Sequence, residues 1–167
     1  MVAGSAAGQG SADPNAVLAL IRRLGPARAI DTLSEDARAW PAILDGIASG
    51  GARWLAVFDA TIGNYNAAAS EQLGDAYLEA FPRAPVRLLR RAGRRIADPD
   101  SAVSGLCGND AAGYGDDRLL ARYITQSRRA LVPLRAAPGR RLRELAEACA
   151  RRFDELEAAL ARALPAN

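Results

Sequence analysis

The chain has 167 residues, half of them hydrophobic and a quarter charged, with a formal net charge of +3. That is enough to bury a core without staples and too apolar for intrinsic disorder, while the charge is too small by itself to argue for nucleic acid or an anionic membrane. All 22 basic residues are Arg and His is absent, which removes Ser–His and Cys–His triads, phosphate-loop lysines and lysine Schiff bases and leaves carboxylate, Tyr or Arg chemistry.

Ala and Leu carry most of the apolar content, so the intrinsic bias is helical. Met1 to Ala12 is Gly, Ala and Ser without a charged n-region or an apolar h-region. It is not an intact signal peptide and reads as a flexible tail or leader ahead of a single helical domain over 13–167. Nowhere does an apolar run approach the roughly 20 residues of a membrane span.

Pro14 fits the first turn of a helix that runs to Leu24, with Val17, Leu18, Leu20 and Ile21 apolar, and Gly25-Pro26 stops it. A short segment from Pro26 to Leu33 follows. Thr32 to Glu35 has capping-box spacing, and Ser34 ahead of Glu35 and Asp36 is an equally good start. Trp40, Ile43, Leu44 and Ile47 form one stripe; Trp54, Leu55, Val57, Phe58 and Ile62 form the next. Gly50-Gly51 between them predicts an αα-hairpin. The break at Gly63 to Asn66 ends with Asn66 as N-cap, and Leu73, Ala76, Tyr77, Ala80 and Phe81 give the next helical period. After Pro82 and Pro85, the residues Val86, Leu88 and Leu89 lie on a short helix ending near Gly93.

Asp98 to Asp117 is rich in Gly, Asp, Asn and Ser and reads as the longest loop, holding one helical turn around Val103 to Cys107. A helix from about Asp116 to Val132 turns Leu120, Ile124 and Leu131 inward. The last helix, from about Pro138 to Leu164, carries Leu142, Leu145, Cys149, Phe153, Leu156 and Leu160 as its inner stripe. Arg143 with Glu147 and Arg151 with Glu155 have i,i+4 spacing on its outside. The expected fold is all-α, six or seven helices, with an array of short helices packed on two longer C-terminal ones.

The two cysteines, Cys107 and Cys149, lack the spacing of a zinc site. They permit either one disulfide, stabilising by on the order of 3–4 kcal/mol, or two buried thiols. Asn109 to Asp117 departs from the alternating ligand pattern of a calcium loop and reads as a turn with an acidic helix start. No metal and no cofactor is assigned.

Arg83, Arg87, Arg90, Arg91, Arg94 and Arg95 fall mostly on one helical side. They read as a solvated face balanced by Asp98 and Asp100, or as a patch for an acidic protein partner; without interleaved aromatics, nucleic acid is not expected. Trp40 and Trp54 read as core, and Asn64 and Tyr65 as an exposed turn suited to recognition. If the protein were a carboxylate enzyme or small-molecule binder, Asp59, Glu71, Asp75 and Glu79 are its first candidates.

The stretch Trp40-Pro41-Ala42-Ile43-Leu44-Asp45-Gly46-Ile47-Ala48-Ser49-Gly50, then Trp54-Leu55-Ala56-Val57, Ala69-Ser70-Glu71-Gln72-Leu73, Pro85-Val86-Arg87-Leu88-Leu89 and Leu106-Cys107-Gly108, resembles small exported helical proteins of proteobacteria. The resemblance covers residues 38 to 110, and its motifs are structural. It implies a periplasmic address and a Cys107–Cys149 disulfide, and it carries over no active-site residue. The functional expectation is protein–protein contact, as an adaptor, inhibitor or immunity-like protein. A carboxylate enzyme and a structural oligomer subunit are the alternatives.

Overall fold

A computed structural model describes residues 12–61, 66–107 and 117–163, and nine α-helices lie among them. They are α1 (Pro14–Leu24), α2 (Pro26–Ser34), α3 (Ala39–Ala48), α4 (Ala52–Ala60), α5 (Ala67–Glu79), α6 (Pro85–Arg95), α7 (Pro99–Cys107), α8 (Asp117–Leu131) and α9 (Arg140–Ala163). A 3-10 helix over Val132–Ala136 follows α8. The class is all-α, as composition predicts, and the described residues hold no strand.

Two short helices raise the number above six or seven. Pro26 opens α2 at a position that needs no N–H, and Gly25 turns the chain into it at φ 78°. The stretch expected to be loop with one turn is the nine-residue α7, because Asp98 caps it: its Oδ2 accepts from the Ser101 N–H at 2.8 Å. Neither Ser34 nor Thr32 starts α3. Asp36 does, with Oδ1 accepting from the N–H groups of Arg38 and Ala39, each at 2.9 Å. Asn66 caps α5 through the Ala69 N–H, as its position predicts.

The helices belong to two compact units. The first comprises the described residues within Met1–Ile47 and Gly51–Ala76. There α1 packs on α2 and α4. The buried side chains include Val17, Ile21, Ile30, Ile43, Ile47, Leu55 and Leu73. Trp40 is buried and its indole N–H donates to Gln72 Oε1. The ring of Trp54 lies so close over Gly46 that a Cβ there would overlap it. Both tryptophans therefore serve packing.

The second unit comprises Ala48–Gly50 and the described residues within Tyr77–Asn167. Helices α6, α7 and α8 all pack on α9. The inner stripe of α9 is buried from Leu142 to Leu156, with Leu160 half-buried, as its period predicts. Phe153 sits at the middle, its ring 6.2 Å from Phe81 and 5.9 Å edge-on from Tyr123. Each such pair contributes roughly 0.5–1.5 kcal/mol beyond its buried area. The buried Tyr123 hydroxyl donates to the Leu106 carbonyl at 2.7 Å, holding the end of α7.

The ion pairs on α9 differ from the expected ones. Arg143 donates to the Ala137 carbonyl instead of pairing with Glu147. Arg151 reaches Asp100 on α7 at 3.0 Å, and Glu155 takes Arg152. An arginine side chain reaches past one helical turn, so sequence spacing alone does not choose its partner.

Candidate functional site

Pro85 opens α6 where no N–H is needed. Leu88 and Leu89 are fully buried, and the opposite side of the helix carries Arg87, Arg90 and Arg94. Spacings of three and four residues put these on one face, and the seven steps from Arg87 to Arg94 rise about 10 Å. Arg83 stands in the turn just before α6. Arg91 is half-buried. The side chain of Arg95, and the whole of Asn64, Tyr65 and the acidic stretch Asn109 to Asp116, lie outside the described residues.

The arginines divide by what they hold. Arg83 Nη1 donates to the carbonyls of Ala48, at 2.8 Å, and Glu79, at 3.2 Å. Arg87 Nη1 donates to the Gly50 carbonyl at 2.7 Å. Helix ends leave carbonyls without partners, and these guanidinium groups supply donors with favourable charge. Arg90 and Arg94 are exposed and form no hydrogen bond or ion pair with any described residue.

Three open clefts of about 300–360 Å³ run along this face. Arg83 is shared by the first and second, and Arg90 by the second and third. At one end α8 adds Leu119, Arg122, Tyr123 and Gln126, with Glu79 and Pro82 opposite. Arg122 is exposed and forms no hydrogen bond or ion pair with a described residue. At the other end Arg94 faces Pro138, Gly139 and Arg141 at the start of α9. Gly93 lets α9 approach, since a Cβ there would meet Leu145 at 2.6 Å. Arg141 is tied back by a 2.8 Å hydrogen bond to the Ile96 carbonyl.

The acidic residues expected to balance this face are engaged elsewhere. Asp98 caps α7, and the Ser101 hydroxyl, then the Ser101 N–H, hold its carboxyl below the ordinary value; Arg141 adds to this from farther off. Asp100 pairs with Arg151. Neither carboxylate therefore pairs with Arg90 or Arg94; Arg122 of α8 lines the same cleft as Arg83, while Arg141 of α9 is paired with Glu144. Arg122 and Arg141 escaped the sequence reading because only tertiary packing brings α8 and the start of α9 beside α6.

No protein family, curated protein or solved structure matches this chain.

The carboxylate candidates do not form a comparable site. Glu71 and Asp75 lie one turn apart on α5, both exposed. The Asp75 carboxyl is raised, first by partial burial and then by the charge of Glu71. Asp59 is half-buried on α4. Glu79 lines the first arginine cleft.

Cys107 and Cys149 come together at a Cα–Cα distance of 5.3 Å and form a disulfide that ties the end of α7 to the middle of α9. Both are fully buried. Among the described residues no helix is long and apolar enough to cross a membrane, and α9 leaves no large apolar side chain exposed.

Proposed function

We propose that the protein acts by protein–protein contact, as an adaptor, inhibitor or immunity-like protein, and that the arginine face of α6 is its docking surface for an acidic partner. The single observation that carries this reading is the unneutralised row itself. Arg90 and Arg94 form no pair with any described residue; Asp98 caps α7, and Asp100 pairs with Arg151 on α9. Complementary charge steers encounter and selects partners, and Arg recognises carboxylates through two parallel hydrogen bonds. The role needs no reacting group, which suits a chain without His or Lys.

The proposed address is the periplasm or the cell exterior. The buried disulfide supports it, since such bonds persist in oxidising compartments, as does the resemblance to exported helical proteins. Alkylation and mass spectrometry of fractionated native cells test the address. An oxidised pair in the periplasmic or secreted fraction is the expected result, and free thiols in the cytosol would overturn it.

Docking is tested by quantitative capture from the same fraction with the intact protein and with the Arg90→Gln/Arg94→Gln variant. An acidic protein that binds the first and is lost from the second is expected. If every captured protein is retained by the variant, the reading fails.

A further inference from the structure

We infer that the surface along α6 takes an acidic amphipathic helix, lying along the arginine row. This rests on the docking reading above and specifies the form of the partner. The first argument is spacing. On α6, Arg87, Arg90 and Arg94 follow one another at three and four residues, the interval at which a helix repeats a face, and Arg83 stands in the turn just ahead of them. A partner helix with Glu or Asp at i, i+4 and i+7 presents carboxylates with the same period, so successive pairs form in register.

The second argument is the apolar material beside the charges. Leu119 is 45% exposed at one end, and Pro82, Pro85 and Val86 are half-buried along the clefts. A bare polyanion leaves these wet, whereas an amphipathic helix covers them with its own aliphatic side chains. The third is Glu79, a carboxylate in the first cleft beside Arg83 and Arg122. It repels a continuous line of phosphates and is tolerated by a partner whose charges come singly.

The arginines have distinct parts in this contact. Arg90, Arg94 and Arg122 have no partners among the described residues and supply the donors. Arg83 and Arg87 are braced by backbone carbonyls, which sets the position of their guanidinium planes before the partner arrives.

The test uses the full chain and fluorescent synthetic peptides, read by anisotropy at low and physiological salt. One peptide is a stapled helix with Glu at i, i+4 and i+7 and Leu beside them. A second has the same composition with the Glu residues spread around the helix, and inorganic polyphosphate and a single-stranded oligonucleotide serve as competitors. The in-register helix is expected to bind about tenfold more tightly than the spread isomer, and to lose about tenfold on Arg90→Gln/Arg94→Gln/Arg122→Gln, in line with several exposed charge pairs lost together. These side chains make no bonds with the described residues, so the variant should melt like the parent; Arg90→Lys/Arg94→Lys, which keeps the charge, should recover part of the affinity.

Equal binding of the two isomers, or stronger competition by polyphosphate or oligonucleotide than by the helix, overturns the inference. If both peptides fail while a natural acidic partner is still lost with Arg90→Gln/Arg94→Gln, the helical form is wrong and the docking reading stands. If both experiments fail, the docking reading falls as well.

Discussion

Arg87 and Gly50 are joined by a hydrogen bond from the guanidinium Nη1 to the backbone carbonyl, 2.7 Å long. Gly50 sits at φ 72°, a left-handed conformation, and a Cβ on it would lie 2.5 Å from that of Ala84. The bond therefore fastens a glycine turn to the start of α6. Arg87→Gln should lower stability by roughly 1–2 kcal/mol, because it removes a charged donor and strands a carbonyl. Arg90→Gln, one turn along the same face, should change stability by no more than about 0.5 kcal/mol. Paired thermal melts check both; equal losses would mean that the bond contributes nothing.

The disulfide closes a separation of 42 residues, which the chain-entropy account equates with about 4 kcal/mol of stabilisation. Cys107→Ser/Cys149→Ser should therefore melt well below the oxidised protein. Both sulfurs are buried, so dithiothreitol should reduce the native protein slowly and the urea-unfolded protein fast. A reduction rate independent of urea would show that the bond is reached without opening α7 from α9.

Ser127 on α8 is fully buried, and its hydroxyl has no hydrogen-bond partner among the described residues. Deleting such a group removes its desolvation cost, so Ser127→Ala should leave stability unchanged or raise it by up to about 1 kcal/mol. Ser127→Leu should instead cost about 1–3 kcal/mol by overpacking its buried surroundings. Denaturant midpoints of the two variants decide; a large loss on Ser127→Ala would mean that the hydroxyl is bound.

The Asp98 carboxyl lies below its ordinary value of 3.8, held there by the Ser101 hydroxyl and N–H. A carboxyl lowered by folding contributes stability that is whole above the unfolded value and is lost as the pH falls through the folded one. Asp98→Asn should therefore be less stable than the parent above pH 3.8, and the two should converge in more acidic solution. Melting curves on either side of that pH test this; a constant offset would assign the effect to shape and not to charge.

Much of the helical framework is legible in the sequence. The stripes Leu120–Ile124–Leu131 and Leu142 to Phe153 are buried as their periods predict, and Asn66 caps α5. Where the fold departs from the sequence pattern, the local signal misleads. Glycine and acidic residues give Pro99–Cys107 the look of a loop, although Asp98-Pro99 is a sound helix start. Arg143 and Arg151 have good i,i+4 partners in sequence and choose others, because long side chains take the nearest acceptor in space.

The candidate site was half legible. The run from Arg83 to Arg94 stands out by spacing, yet its neutralisation by Asp98 and Asp100 was an inference from nearness in sequence. Asp98 is taken by the start of its own helix at Ser101, and packing of α7 on α9 turns Asp100 to Arg151. Composition and periodicity determined by themselves that the chain is helical and which faces are apolar, since both depend on residues within a turn or two of each other. The pairing of Cys107 with Cys149, the ion pair of Asp100 with Arg151 and the placing of Arg122 and Arg141 beside the α6 row were decided by tertiary structure. Each depends on residues brought together over tens of positions, where distance along the chain says nothing about distance in space.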